Sequence, residues 1–364
     1  MEGNQITMDT IVAQTYSYVI GVDTHAATHT YAIITADNQH VDAQTFPTTT
    51  AGMNRAIAWA ARRTGGDMAA LWVIEGIGSY GAGLARTVAD TGYRVVEAAR
   101  MSNRSRRGIG KSDPVDAARI AVAVLPLPEA RLREPRLDEG NRAALQVLLT
   151  ARDEIGRERT RAINALTALA RTTDLGIDAR RALNHQTIAE IAGWRARQRD
   201  DIAIATARAE AIRLAKRIFD CDGDLKTNDA RIRDLVADSP AAGLVNYTGI
   251  GPVTAATTLV AWSHPGRIKS EAAYAAIAGA SPIPASSGKT IRYRLNRGGD
   301  RKLNRALNVM AMVRMVHDPT TRDYAQRRRR EDKSDREIRR VLKRYLARSI
   351  YRQLNAAAAT PQSS

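Results

Sequence analysis

Residues 16–25 read YSYVIGVDTH, an apolar run that ends in Asp23, Thr24 and His25. A short run rich in Val, Ile and Tyr is typical of a buried strand, and we predict one over 16–22. Asp23 would then lie directly beyond the strand end. Because a buried carboxylate costs free energy unless a cation pairs with it, this position indicates a site rather than plain core.

The elements that follow place this strand in a mixed sheet. Apolar runs alternate with segments of three- and four-residue periodicity up to residue 124. The predicted strands are 30–35, 41–46, 70–74 and 93–97, and the predicted helices are 50–63, 80–91 and 113–124. The order βββαβαβα is typical of a mixed α/β domain, which we place at 16–130.

Strand patterns stop after the proline-containing link at 125–135. Apolar residues recur at helical spacing over 144–169 and again over 202–219, which predicts two long amphipathic helices. They would form an antiparallel pair or a coiled coil, and the pattern fits plain helical core as well as an oligomer interface. The remaining predicted segments are a disordered leader 1–15, a helical middle domain 136–234, a mostly helical C-terminal domain 235–355 and a disordered tail 356–364.

Charge is distributed unevenly along the 364 residues, whose formal net charge is +17. Residues 1–100 hold 6 Lys and Arg against 9 Asp and Glu, whereas residues 289–352 hold 21 against 7. Such a basic region favours a polyanion, and nucleic acid more than a membrane surface. The alternative is a basic segment that only aids solubility.

Cysteine content and hydropathy narrow the protein class. The single cysteine, Cys221, can form neither an internal disulfide nor a cysteine-based zinc site, which points to a reducing compartment. No apolar run approaches the ~20 residues of a membrane span, and no signal-peptide pattern opens the sequence. We therefore expect a cytoplasmic protein without membrane association.

Four carboxylates fall at the ends of predicted elements. Glu75 ends a second apolar strand, while Asp113 and Asp116 stand at i and i+3 in the first turn of a helix that Pro114 begins. With Asp23 they would converge at one sheet edge, where like charges repel and raise each other's pKa. Divalent cations relieve that repulsion, and two Mg²⁺ ions would suit phosphoryl transfer. We interpret His25 and His29 as neighbours of this site rather than as its ligands.

Two glycine-rich segments precede the basic region. Residues 247–255, YTGIGPVTA, resemble the hairpin of a helix-hairpin-helix, whose glycines let the backbone approach a phosphate, or else a simple turn. Residues 278–289, AGASPIPASSGK, hold two prolines and two glycines, so Ser286 and Ser287 should lie on a constrained loop. A serine hydroxyl needs a base or a metal to act as a nucleophile, so these serines are structural, phosphate-contacting or catalytic.

Taken together, these segments resemble the DEDD transposases of the insertion-sequence 110 family. They follow one another in the family's order over nearly the whole chain, and jointly they are highly specific. The resembling segments are 21–25 (GVDTH), 74–76 (IEG), 111–117 (KSDPVDA), 249–251 (GIG), 286–290 (SSGKT) and 294–301 (RLNRGGDR).

The resemblance implies a RuvC-like, ribonuclease-H-like first domain, a coiled-coil middle and a C-terminal transposase domain. It implies a catalytic serine at Ser287, with Ser286 one position away in the mapping. Family members use a structured bridge RNA that pairs with donor and target DNA. They act as homo-oligomers, dimers or tetramers, in which the serine of one subunit completes the acid site of another. The D-E-D-D set maps onto Asp23, Glu75, Asp113 and Asp116.

The sequence thus predicts a site-specific transposase that cuts and rejoins DNA through Mg²⁺-bound acids and a phosphoserine link at Ser287. One alternative is a RuvC-type junction nuclease, in which metal-activated water attacks and the serine is irrelevant. Another is a sugar-kinase or actin-like ATPase, whose second Asp-Gly-rich phosphate loop is not visible in the sequence. A non-enzymatic architectural nucleic-acid binder would leave the four acids without a purpose.

Overall fold

The computed structural model describes residues 10–98, 113–136, 139–281, 283–284, 293–294 and 299–359. It divides into two compact units. The first consists of Met1–Asp138 together with Ser263–Ser270, and the second of Glu139–Trp262 and Glu271–Ser364. The predicted middle and C-terminal domains therefore fall largely in one unit, and a short piece of the C-terminal region belongs to the other.

A five-stranded mixed sheet forms the centre of the first unit. Its order is β3-β2-β1-β4-β5, in which β2 is antiparallel to both β3 and β1, whereas β4 is parallel to β1 and β5 is parallel to β4. The predicted mixed α/β sheet is therefore confirmed. The strands are β1 (Tyr18–Thr24), β2 (Thr28–Thr35), β3 (His40–Pro47), β4 (Leu71–Ile74) and β5 (Arg94–Glu97).

The first strand begins and ends two residues later than the sequence predicts. Asp23 lies inside β1, paired with Thr30 of β2, and not beyond the strand as we expected. The apolar run determines which part of the strand is buried. The backbone hydrogen bonds to β2 determine where the strand ends, and they continue past the apolar run to Thr24.

Helices cover both faces of the sheet. On one face, α2 (Thr50–Arg63) and α3 (Ala82–Asp90) pack against Ile20 and Trp72. On the other, α1 (Val12–Thr15) and α4 (Asp113–Val122) pack against Val19 and Val73. Because successive side chains of a strand point to opposite faces, a sheet covered on both sides needs strands that are apolar throughout.

The prediction that both ends of the chain are disordered is wrong for residues 12–15 and 356–359, which are helical. Residues Val12–Thr15 form α1, in which Val12 is fully buried and its N–H donates to the Leu127 carbonyl at 2.9 Å. At the other end, the last helix continues to Ala359, four residues into the predicted tail. Both ends are helical in this part of the chain because apolar side chains tie them to the core.

Two long antiparallel helices begin the second unit. α5 (Gly140–Thr172) and α7 (Ile202–Ala237) pack together, and ion pairs such as Arg152–Asp229 and Arg159–Asp222, both at 2.5 Å, join them. The predicted antiparallel pair is present, whereas the coiled coil stays a prediction. Between them lies α6 (His185–Ala192), which the sequence analysis did not predict.

The rest of the second unit is mostly helical, as predicted. α8 (Pro252–Trp262) is buried along most of its length, which fits its apolar and Thr-rich sequence. None of the described helices combines the length and apolarity that a membrane span needs. The other elements are α9 (Glu271–Ile277), β6 (Ile283–Pro284), β7 (Tyr293–Arg294), α10 (Arg301–His317), α11 (Pro319–Arg330) and α12 (Asp335–Ala359).

Candidate functional site

The position of α4 against the sheet depends on Gly21 of β1. A Cβ added there would lie 2.1 Å from the carbonyl oxygen of Ala117 and 2.7 Å from the backbone nitrogen of Ala121. Only glycine therefore lets the helix approach the strand so closely. Because side chains alternate along a strand, Asp23 lies on the same face as Gly21, the face that α4 covers.

Two carboxylates and one imidazole meet at this end of β1. Nε2 of His25 lies 3.3 Å from Oδ2 of Asp23 and 3.8 Å from Oδ1 of Asp113. The three residues each offer a donor atom within 4.8 Å of the others, and we call them the acid–histidine cluster. The Asp23 side chain is 13% exposed, whereas His25 and Asp113 are about half exposed, so the cluster opens to solvent on one side.

Electrostatics at Asp23 favour a positively charged ligand. Burial raises the pKa of its carboxyl group, the carboxylates of Asp113 and Asp116 raise it further, and His25 lowers it. A bound cation would stabilise the ionised carboxylate and offset the repulsion between the acids. Carboxylate oxygen and imidazole nitrogen are both ordinary ligands of divalent metals, so the donor set fits such an ion.

Asp116 lies one turn further along α4 and outside the cluster. Its Oδ1 accepts from Nη1 of Arg119 at 3.3 Å, an i,i+3 ion pair whose side chains are 13% and 24% exposed. Asp116 still contributes negative charge at Asp23, as its effect on the pKa of that carboxyl shows. The predicted i and i+3 acids therefore share the start of one helix but differ in their partners.

Glu75 follows β4 at the same edge of the sheet. Its N–H donates to the Val22 carbonyl at 3.0 Å, and its carbonyl accepts from Oγ1 of Thr24 at 3.0 Å, so its backbone runs beside Asp23. Its side chain is exposed and its carboxylate is not among the donor atoms of the cluster. The structure therefore brings Glu75 to the edge of the sheet where Asp23 stands.

The two histidines near Asp23 differ in their surroundings. His25 is the first residue of the β1–β2 turn and belongs to the acid–histidine cluster, whereas the sequence predicts only a neighbour of the site. His29 is buried, its ring lies 6.4 Å from that of Tyr31, and burial lowers its pKa. Asp23 and His25 are two residues apart, at the end of one strand and the start of the turn that follows it. That spacing is the sequence feature from which their contact could have been predicted.

The predicted nucleophile Ser287 and its neighbour Ser286 lie outside the described residues. The backbone on either side of their segment is described. β6 pairs with β7, Ile283 opposite Arg294, and the N–H of Asp300 donates to the Ile277 carbonyl at 2.6 Å. A Cβ on Gly299 would lie 2.6 Å from both the Gly279 nitrogen and the Ile277 oxygen, so the two ends of the segment are in close contact.

A buried lysine is linked to the same region through one asparagine. Nδ2 of Asn304 donates to the Ala278 carbonyl at 2.6 Å, and Nζ of Lys343 donates to Oδ1 of Asn304 at 3.2 Å. Burial lowers the pKa of Lys343, and the nearby Arg340 and Arg339 lower it further. No sequence pattern marks Lys343 as buried, because only the packing of α12 on α10 buries it.

The glycine-rich turn before α8 has a packing role. Gly249 has φ +84°, and a Cβ there would lie 2.9 Å from the carbonyl oxygen of Met310 in α10. Gly251 donates its N–H to Oγ1 of Thr254 at 3.0 Å at the start of α8. The close contact with α10 therefore explains why residue 249 is a glycine, and a bound phosphate is not needed to explain it.

Most arginines of α11 and α12 are exposed, and some of them already have a carboxylate partner. Arg328 pairs with Glu331, and Nε of Arg329 lies 2.8 Å from Oδ1 of Asp335. The Arg327 guanidinium lies 5.5 Å from the centre of the Tyr324 ring. Only part of the basic run is thus available for a polyanion.

Comparison with known proteins gives consistent matches. Residues 20–173 match a DEDD-type IS110 transposase family model, and residues 242–326 match the model described as transposase IS116/IS110/IS902 family. An insertion element IS900 uncharacterized 42 kDa protein from Mycobacterium paratuberculosis is 27% identical over 86% of this chain and 89% of its own length. An insertion element IS110 uncharacterized 43.6 kDa protein from Streptomyces coelicolor is 34% identical over 29% of this chain and 27% of its own length. The two matched ranges together include the acid–histidine cluster and the segment of Ser287.

Proposed function

The chain belongs to the IS110 family of transposases, and on that premise we propose that the acid site binds the divalent metal used to cut and rejoin DNA. One observation carries the proposal. Asp23 of β1 and Asp113 of α4 are far apart in sequence, yet a carboxylate oxygen of each lies within 4 Å of the same His25 nitrogen. A nearby cation would relieve the repulsion between these two acids, and a metal bound with the DNA phosphate would supply it.

The metal ligands in this proposal are the D-E-D-D acids. When bound, a divalent metal polarises the scissile phosphate and stabilises charge on the attacking and leaving oxygens. Asp23 and Asp113 would supply oxygens from the cluster, Glu75 would supply a carboxylate from the end of β4 at the same sheet edge, and Asp116 would supply charge from the next turn of α4. We also propose a RuvC-like, ribonuclease-H-like fold for the first unit, which the mixed sheet with acids at its edge supports.

Ser287 is the proposed nucleophile. Its Oγ forms a bond to the phosphorus, the bond from phosphorus to one strand oxygen breaks, and that strand leaves as a hydroxyl with the proton. Because the link is still a phosphodiester, its reversal rejoins a strand without ATP. Ser286, the adjacent residue, is the alternative nucleophile.

The proposed partners are donor and target DNA and a structured bridge RNA. The net charge of +17 and the exposed arginines of α11 and α12 support polyanion binding. From the family resemblance we further propose a homo-oligomer, a dimer or tetramer, in which the serine of one subunit completes the acid site of another.

Substitution of the acids tests the metal site. Asp23→Asn and Asp113→Asn should each reduce strand cleavage by at least about 10²-fold while leaving nucleic-acid binding intact, because the metal supplies several kcal/mol of charge stabilisation. Glu75→Gln and Asp116→Asn should act in the same direction. Asp37→Asn, an exposed acid in the β2–β3 turn, is the control and should cleave normally. Full activity in any of the four variants would remove that acid from the site.

Trapping of the covalent adduct tests the serine. DNA that carries the element's ends would be labelled, incubated with protein and run on a denaturing gel, and the linked peptide would be mapped. Ser287→Ala should bind DNA but form no adduct, whereas Ser286→Ala should retain activity. An adduct at Ser286 would move the nucleophile by one residue. Cleavage by Ser287→Ala with free ends would instead favour a RuvC-type nuclease that uses water.

A further inference from the structure

His25 occupies the position of a ligand in the acid–histidine cluster, although the D-E-D-D set contains no histidine. Its Nε2 is 3.3 Å from one carboxylate oxygen and 3.8 Å from another, on two different elements. Both distances exceed the 2.7–3.2 Å range of a well-formed N–H···O hydrogen bond. A protonated ring would form ion pairs with both acids at these distances, whereas a neutral ring could share a cation with them.

The same distances fit ligands that share one ion. Two atoms bound at right angles to an ion, each about 2.1 Å away, lie about 3.0 Å apart, and opposite ligands lie about 4.2 Å apart. The two measured distances fall between these limits, and the three donor atoms all lie within 4.8 Å of one another. A single cation could therefore contact all three side chains after small side-chain rotations.

The backbone that carries His25 is held in place without any metal. Its N–H donates to the Thr28 carbonyl at 3.1 Å and closes the turn between β1 and β2. The turn is held from its other side by Thr48, whose Oγ1 donates to the Ala26 carbonyl and whose N–H donates to the Ala27 carbonyl, both at 3.1 Å. A fixed backbone means that the ring needs little ordering to bind an ion, which favours affinity.

We propose that His25 is a further ligand of the proposed metal, and that the site consequently takes a transition dication such as Mn²⁺ in preference to Mg²⁺. The proposal rests on the acid site described above. An imidazole nitrogen suits first-row transition metals, among which Mn²⁺ also favours carboxylate oxygen and water, whereas Mg²⁺ is bound mainly through oxygen and keeps several waters. His25 therefore adds affinity for Mn²⁺ that it cannot add to the same degree for Mg²⁺.

Binding of the metal alone provides the test, with full-length protein and no DNA. Mn²⁺ affinity is measured by the electron paramagnetic resonance signal of the free ion, and Mg²⁺ affinity by competition. His25→Ala should weaken Mn²⁺ binding at least about tenfold, the scale of effect seen when residues that only orient metal ligands are changed, and Mg²⁺ binding by much less. His40→Ala, an exposed histidine at the opposite end of the sheet, is the control and should bind both ions normally.

A spectroscopic signature separates ligation from a structural role. Electron spin-echo modulation from a ligating nitrogen should be present with Mn²⁺ on the unsubstituted protein and on His40→Ala, and absent on His25→Ala. Equal losses for Mn²⁺ and Mg²⁺, or no nitrogen modulation in the unsubstituted protein, would overturn the proposal. If Asp23→Asn abolishes Mn²⁺ binding while His25→Ala does not change it, the acid site stands and only the role of His25 fails. If the unsubstituted protein binds neither ion, the acid site itself fails.

Discussion

At the scale of single residues, the absent side chain of Gly21 matters as much as any acid. The close approach of α4 to β1 brings Asp113 to the end of the strand that carries Asp23, and the approach exists only because no Cβ intervenes. The contacts of that Cβ would be backbone atoms of α4, which cannot rotate away. The geometry of the cluster therefore depends on a residue that binds nothing.

Gly21→Ala should therefore damage both stability and metal binding. The added methyl group would push α4 off the sheet, at a cost of about 1–3 kcal/mol, and separate Asp113 from Asp23. Calorimetry and Mn²⁺ titration measure the two effects. Gly83→Ala in α3 is the control, since a Cβ there meets only Met53 at 4.0 Å and should raise helix stability by about 0.5–1 kcal/mol. Normal Mn²⁺ affinity in Gly21→Ala would show that α4 need not lie so close.

Some residues of the site can be recognised from their own stretch of sequence, whereas the positions of others depend on contacts between distant elements. Asp23 and Glu75 stand at the ends of apolar strands, so their convergence on one sheet edge follows from the sequence pattern alone. The approach of Asp113 depends on the packing at Gly21, and the burial of Lys343 depends on how α12 meets α10. Contacts between distant elements leave no pattern in the local sequence. The sequence therefore predicts which residues are candidates for the site but not the distances between their side chains.

At the scale of elements, α11 is a highly charged helix that is stabilised by a capping residue at its N-terminus. Asp318 caps its N-terminus, since Oδ2 accepts from the Thr321 N–H at 2.8 Å and from its Oγ1 at 2.5 Å. These hydrogen bonds from Thr321 lower the pKa of Asp318, and Arg314 lowers it further. Because the pKa is lower in the folded state, the stabilisation is present at neutral pH and is lost as the pH falls through the lowered value, below about 3.9.

Asp318→Ala should therefore destabilise the second unit at pH 7 by about 1 kcal/mol, a typical value for an N-cap. That loss corresponds to a fall of about 2–4 °C in the thermal midpoint of a unit of this size. Calorimetry at pH 7 and pH 3 should show the difference from the unsubstituted protein shrinking at the lower pH. Asp323→Ala, an exposed acid on the same helix, is the control. A difference that is the same at both pH values would mean that the charge of Asp318 is unimportant.

Elements with strong periodicity were predicted well and short ones were not. α2 has the predicted bounds, because a Thr49 cap and a regular apolar stripe define it locally. α6, which is eight residues long, and the two-residue strands β6 and β7 were missed. Short elements derive little stability of their own, so tertiary contacts decide whether they form.

At the scale of the whole molecule, charge is the property that should govern nucleic-acid binding. Arg328 and Arg329 already have carboxylate partners, whereas in the described part of the chain Arg327 stacks on Tyr324 and Arg330 has no recorded ion pair. The unpaired arginines can bind phosphate without first breaking an ion pair. They should therefore contribute most to affinity.

Replacing Arg327 and Arg330 together by Gln should reduce the slope of log affinity against log salt by about two units for duplex DNA. The affinity should fall to a similar extent for unrelated sequences, because phosphate contacts carry no sequence information. Binding isotherms at four or more salt concentrations measure the slope. Arg180→Gln, an exposed arginine paired with Asp178, is the control. A slope equal to that of the unsubstituted protein would show that these arginines do not contact phosphate and are only solvated surface residues.

The eight residues Ser263–Ser270 belong to the first unit although they come late in the chain. Nε2 of His264 lies 2.9 Å from the Pro135 carbonyl oxygen, and Nη2 of Arg267 lies 3.8 Å from Oε2 of Glu97. During synthesis the ribosome must add more than 120 residues after Asp138 before these contacts can form. At about 5–20 residues per second, the first unit lacks this segment for roughly 6–26 seconds. The first unit thus acquires its last segment only after more than half of the second unit has been made.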